Sequence, residues 1–261
     1  MSEIGAALLA GLTCVTALAL LGIAPFRDEF RSLPRQLLAL ALWTAVLALV
    51  VFLPVVSASA GEPMDPAHVG FGWLFVGHAL LAAFLLSWWR LRGDIGLAEF
   101  FALRRSVSWR SYVFLGLVGG AVAWVATVAV TGLLAGAWVK VQELPPTAEI
   151  PPVIFWMAEL PAWKKLVIVL VAMVVEEAFF RAFLQRRLGL WLSSALFAVS
   201  HFSYGLPFLV VGVFIVSLFF GWLFARTGSL IPPMLAHGLF NGVQLFLILP
   251  AMVEWFGGGK G

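Results

Sequence analysis

Apolar runs of about twenty residues constrain this chain more than any other feature. They recur along it, almost free of charge, between short clusters of Pro, Gly and Arg. A run of that length spans a bilayer core of roughly 30 Å as one α-helix. Inside a bilayer there is no water to satisfy a backbone N–H or C=O, so each run must close its hydrogen bonds within itself. The expected fold class is therefore all-α: a polytopic membrane helix bundle of about eight transmembrane helices. They are drawn at 4–24, 37–56, 70–89, 112–136, 164–187, 189–206, 208–226 and 231–250. Composition agrees. The chain is 62% hydrophobic and 11% charged, against roughly 25% charged in soluble domains, with a mean hydropathy of +1.04.

Three regions follow. Residues 1–138 hold N-terminal transmembrane helices with a basic connection, 139–163 form a Pro-rich loop, and 164–261 form the core that carries the chemistry. No Lys or Arg precedes the first run, so 4–24 reads as a retained helix rather than a signal peptide. The connection from Arg90 to Arg110 mixes charges with Leu97, Phe100, Phe101 and Leu103. It is either an amphipathic segment on the membrane surface or an ordinary solvated loop. The Pro-rich loop, with Trp156 and Trp163 suited to the headgroup region, is a candidate lid or entrance.

Charge placement says more than the formal net charge of +3. Arg residues cluster in the connections after spans 1, 3, 5 and 7, and the connections after spans 2 and 6 have none. That pattern puts the basic turns in the cytoplasm and both termini outside. Lys140, Lys164 and Lys165, after span 4, run against it. No basic run interleaved with aromatics suggests a nucleic-acid partner. Cys14 is the only cysteine, which excludes an intrachain disulfide and a Cys-based metal site.

Against this apolar background a few polar groups need a reason. Span 5 reads LVIVLVAMVVEEAFFRAFLQRR and buries Glu176, Glu177 and Arg181. A charge at bilayer depth costs at least about 2.5 kcal/mol. Glu177 and Arg181 are i and i+4 and can pair on one face. Glu176, rotated by about 100°, has no partner on its own helix. Structural polar glue between helices is the plain alternative. Span 6 carries His201. With a turn near Leu188 and Gly189, Glu176 and His201 both lie roughly 19 Å from it, so an antiparallel hairpin sets them level. Span 8 carries His237 and Asn241 on one face, i and i+4, with Asn241 near the same depth counted from Gly228. His78 and His68 lack companions at matching spacing and read as structural. Gly116 and Gly120 read as a small-xxx-small packing pair.

Glu-Glu-x-x-x-Arg, then Phe-x-x-x-His, then His-x-x-x-Asn on successive membrane helices resembles the CAAX-protease and bacteriocin-processing family of intramembrane endopeptidases. The resemblance covers roughly 160–245. It implies that Glu176 is the general base that activates water and that His201 holds that water. It implies that His237 and Asn241 stabilise the oxyanion, with Glu177 and Arg181 in supporting positions. Ala182 follows Arg181 where the family commonly has Gly. The implied substrate is a membrane-anchored or lipidated polypeptide cut near its C-terminus, either a prenylated tail or a sorting tail. The implied place is a bacterial inner (cell) membrane, crossed several times.

The chemistry read from the residues agrees. A buried carboxyl can serve as a base, and peptide hydrolysis needs donors aimed at the developing oxyanion. No cofactor is expected. Zinc held by Glu176, His201 and His237 is the alternative, since one Glu and two His are a plausible catalytic set. A non-catalytic immunity or scaffold protein of the same fold, and a proton-coupled transporter, are the competing functions. The transporter reading finds no internal repeat or paired broken helices to support it.

Overall fold

The computed structural model describes residues 29–30, 32–54, 70–103, 108–142, 152–202 and 207–257. The expected first span, 4–24, lies outside them. Among the described residues there are helices and no strand. Helix α1 (Leu33–Leu47) runs on through a π-helical turn, Ala48–Phe52. Helix α2 (Val76–Arg92) is entered through a 3₁₀ turn, Phe71–Phe75. Then come α3 (Trp109–Gln142) and the short α4 (Pro152–Glu159). Helix α5 (Ala162–Glu177) continues as a π-helix, Ala178–Gln185, and leads into α6 (Arg186–Ser200). Helix α7 is Pro207–Thr227. Helix α8 (Ile231–Val243) is extended through a π turn, Gln244–Ile248, to Leu249–Gly257.

Five of these stretches are long and apolar enough to cross a membrane: Leu33–Phe52, Phe71–Arg92, Trp109–Ala137, Leu209–Thr227 and Ile231–Trp255. The two other expected spans of the core miss that standard for physical reasons. Helix α5 with its π-helix carries Glu176, Glu177 and Arg181 close together. Helix α6 has 15 residues. It stops at Ser200, short of the expected 206, and His201 is the residue that ends it, with φ −103° and ψ 11°.

Glycines and prolines set the ends of several helices. Gly189 leaves helical geometry at φ 77° and ψ 175°, between the α5 continuation and the body of α6. Phe180 and Phe197, nearly equidistant from it, meet with ring centroids 4.8 Å apart, which marks the antiparallel hairpin. Gly93 closes α2 at φ 71°, and Gly228 follows α7 at φ 62° with its N–H on the Phe224 carbonyl at 2.8 Å. Glycine takes this left-handed region without the strain a Cβ brings. Pro232 and Pro233 sit in the first turn of α8, where a missing N–H costs nothing.

The connection after α2 is neither a surface helix nor a free loop over its described part. It makes one helical turn, Leu97–Phe100, and buries Phe100. Arg186 donates to the carbonyls of Glu99 and Phe100, each at 3.3 Å, and the Leu230 N–H donates to the Ala102 carbonyl at 3.0 Å. The turns after α2, α5 and α7 thus meet at one end of the bundle. The Pro-rich stretch is also partly helical, since α3 runs to Gln142 and Pro152–Glu159 forms α4. Lys165 ties α4 to α5 by donating to the Ala158 carbonyl at 2.7 Å.

Two apolar clusters hold the bundle. One gathers α1, α2, the π-helix and α6 around Trp43, Trp88 and Phe183, whose ring lies 5.0 Å from both Phe84 and Trp88. The other joins α3, α7 and α8 through Ala123, Val216, Phe220, Leu223 and Ala236. Gly116 and Gly120 bring α3 onto α8, as their spacing predicts. A Cβ at Gly120 would lie 2.8 Å from the Ala236 carbonyl oxygen, and one at Gly116 would lie 3.0 Å from that of Pro232. Backbone cannot yield as a side chain tip can. Gly120→Ala is therefore expected to cost about 1–3 kcal/mol through overpacking and to displace the turn that carries His237. A lowered thermal midpoint of the detergent-solubilised protein checks this. An unchanged midpoint would mean that α3 and α8 are not packed this closely.

Candidate active site

Glu176 and Glu177 close the α-helical part of α5, just before the π-helix. Neighbouring residues on an α-helix point about 100° apart, and here that separation sends the two carboxylates to different partners.

Glu177 faces inward and is fully buried. Its Oε2 accepts from Arg181 Nε at 3.0 Å, and its Oε1 accepts from His237 Nδ1 at 2.8 Å. Arg181, equally buried, donates through Nη2 to Ser217 Oγ on α7 at 2.8 Å. Its guanidinium lies 5.3 Å from the centroid of the Phe197 ring on α6. One ion pair therefore ties α5 to α6, α7 and α8. Charges buried this deeply are tolerated only when paired and hydrogen-bonded. Space for the pair comes from Gly221 on α7. A Cβ there would lie 2.8 Å from Gln185 Oε1 and 3.4 Å from Arg181 Nη1. Gln185 donates to the Gly221 carbonyl at 2.8 Å. The expected i, i+4 pair is present, and it also fixes His237.

Glu176 points the other way. Its Oε1 accepts from His78 Nε2 on α2 at 2.9 Å. Its Oε2 lies 3.9 Å from His237 Nε2. His237 is thus held by one carboxylate through Nδ1 and presents its other nitrogen to the second. Its ring stacks on Phe220 with centroids 5.1 Å apart and meets Phe197 edge-on at 6.1 Å, so it sits where the two apolar clusters adjoin.

His201 ends α6, across the Gly189 hairpin from the segment that carries Glu176. Its Nδ1 donates to the Phe197 carbonyl at 2.7 Å, with Ser200 Oγ 3.1 Å away. A backbone acceptor on Nδ1 sets the tautomer of a neutral ring and leaves the lone pair on Nε2. Asn241 follows His237 by one turn of α8 and is half-buried. Among the described residues its side chain has no hydrogen bond to the carboxylates. It can therefore donate to something else.

The structure sets His237 between Glu176 and Glu177, puts Asn241 one turn along α8, pairs Arg181 with Glu177, and leaves His201 at the end of α6 across the hairpin. Two neighbours were missed from sequence. Ser217 gave no signal beyond being a small polar residue in an apolar helix. His78 was read as structural, although its depth carried information. It lies fourteen residues before Arg92, roughly 21 Å from that end of α2, close to the level of Glu176.

For zinc, Glu176, His201 and His237 would have to converge as ligands. Among the described residues no group of three or more His, Cys, Asp or Glu side chains is arranged to hold a metal ion.

Comparison with known proteins points to the same helices. Residues 158–243 match the family described as Type II CAAX prenyl endopeptidase Rce1-like. That stretch contains Glu176, Glu177, Arg181, His201, His237 and Asn241, so the resemblance carried by the motifs holds for α5 to α8. The chain is also similar to the uncharacterized protein YpbD of Bacillus subtilis (strain 168), with 39% identity over 69 residues. That stretch is 26% of this chain and 36% of YpbD, so the matched region spans about a third of that relative. No solved structure matches.

Proposed function

We propose that this protein is an intramembrane endopeptidase that hydrolyses a peptide bond near the C-terminus of a membrane-associated polypeptide, using water activated by Glu176. The observation that carries this reading is the pairing of unlike surroundings for two adjacent carboxylates. Glu177 is consumed by Arg181 and His237, while Glu176 keeps Oε2 beside His237 Nε2 at 3.9 Å. A carboxylate acting only as structural glue would have both oxygens taken by hydrogen-bond partners, as Glu177 has. The family match over 158–243 supports the reaction class.

In the proposed reaction Glu176 takes a proton from water as the water oxygen attacks the scissile carbonyl carbon. His201, with Nδ1 occupied by Phe197, accepts the other water proton in a hydrogen bond and holds the nucleophile. The carbonyl oxygen becomes an oxyanion. Asn241 donates to it through its side-chain N–H, and His237 donates through Nε2 when that nitrogen carries a proton. Collapse of the intermediate breaks the C–N bond, and the proton held by Glu176 passes to the leaving amine. No metal takes part. The protein works in a bacterial cell membrane, with its basic turns in the cytoplasm.

Two measurements test this. Membrane-associated proteins from cells lacking this chain, compared with cells in which it is restored, are expected to keep uncleaved C-termini. Identical termini in both would sink the proposal. Metal analysis of the pure protein, with activity after chelation, is expected to find neither bound zinc nor a loss of turnover. Stoichiometric zinc that leaves with His237→Ala would replace the glutamate mechanism by a zinc-dependent one.

Asn241→Ala tests the oxyanion role. A lost donor to the oxyanion typically lowers kcat by roughly 10²–10³-fold, and KM should change little because the contact forms in the transition state. A raised KM with kcat intact would make Asn241 a substrate-binding residue instead.

A further inference from the structure

We infer that His78, on the N-terminal helix α2, is the positioning residue that decides which oxygen of Glu176 does the chemistry. The inference rests on Glu176 acting as the base. His78 stands outside all three motifs and outside the matched stretch 158–243, yet its Nε2 lies 2.9 Å from Glu176 Oε1. A carboxylate oxygen has no proton to give when ionised, so the Nε2–H donates.

The end of a Glu side chain is loose. Its last torsion is broad and roughly two-fold, so packing alone does not choose between the oxygens. A donor fixed on Oε1 removes that freedom. Oε1 is then occupied, and Oε2 is the oxygen left beside His237 Nε2. The ring of His78 is steadied in turn. Phe75 lies one turn before it with centroids 6.2 Å apart, and the Leu74 carbonyl is 3.4 Å from Nδ1. Helix α2 is seated by Phe84 and Trp88 against Phe183, which follows Glu176 on the same chain segment. The same packing that joins α2 to the π-helix therefore sets the height of His78 against Glu176. The N-terminal helices act as more than a membrane anchor. They supply a polar group that the C-terminal motifs lack.

Displacing a reacting group by about 1 Å can cost on the order of 10²-fold in rate. His78→Ala is therefore expected to lower kcat by roughly 10–10²-fold with KM little changed. His78→Gln places an amide N–H near the position of Nε2 and should restore most of the rate. The probe is a farnesylated peptide ending in a CAAX sequence, with the full-length protein in detergent. The infrared band of the Glu176 carboxylate, identified as the one missing from Glu176→Gln, gives a readout that needs no substrate. It is expected to shift and broaden in His78→Ala and to return towards the wild-type position in His78→Gln.

Wild-type kcat in His78→Ala, or a band that does not move, would overturn the inference. Equal rate losses in His78→Ala and His78→Gln, each matched by a lowered thermal midpoint, would overturn it in favour of simple packing. If Glu176→Gln keeps its activity, the base assignment fails instead, and the band still reports whether His78 holds the carboxylate. If the wild-type protein leaves the probe uncut, the band alone decides.

Discussion

Glu176→Gln is expected to abolish turnover while leaving the protein folded and inserted. The amide keeps the shape of the side chain, and its oxygen can still accept from His78 Nε2, now 2.9 Å from Oε1. What it loses is the ability to take a proton from water. General-base catalysis is worth about 10²–10⁴-fold. The neighbouring carboxylate cannot substitute, because Glu177 is fully buried and bound to Arg181 and His237. Stability should hold or rise, since the change removes a buried charge that is costly at bilayer depth. The check is kcat/KM on the farnesylated CAAX peptide beside the thermal midpoint of the same preparation. Turnover within tenfold of wild type from a folded mutant would rule out Glu176 as the base.

Arg181→Met should have the largest effect on stability. Arg181 is fully buried and supports Glu177, Ser217 and the Phe197 ring at once. Removing one partner of a buried ion pair costs about 3–5 kcal/mol, because the remaining charge is left uncompensated. For a chain of this size that corresponds to a drop in thermal midpoint on the order of 10 °C. Activity should fall as well, since the displaced Glu177 no longer fixes His237. The double mutant Glu177→Gln with Arg181→Met removes both charges and should regain much of the lost stability, although His237 stays poorly held and activity stays low. A double-mutant cycle measures the coupling. If Arg181→Met alone costs less than about 1 kcal/mol, comparable to an exposed pair, the ion pair is not buried in the membrane-embedded protein.

Much of this could be reached by counting residues. In a bilayer the backbone must satisfy itself, so apolar runs become helices and Gly189, Gly228, Pro232 and Pro233 mark their ends. Depth is then one-dimensional. A fixed rise per residue put Glu176 and His201 level across the Gly189 turn, and the contact of Phe180 with Phe197 confirms that hairpin. The Gly116 and Gly120 spacing likewise announced a close helix contact, and the structure gives α8 as the partner. The pairing of Glu177 with Arg181 needed only the periodicity of a single helix.

Counting does not determine which way a helix is turned or what stands beside it. The sequence could place His78 near the right depth, but only the packing of α2 against the π-helix directs it to Glu176 rather than towards lipid. Nor could it foresee that His237 would give Nδ1 to Glu177, that Ser217 would meet Arg181, or that α6 would end at His201. The π-helix from Ala178 to Gln185 is part of the reason, since its wider turn changes the angle of every later side chain and buries all eight residues. Helix identity and depth follow from local composition and a constant rise. Rotation and neighbour choice come from side chains far apart in the chain interlocking, and that was decided by the tertiary structure.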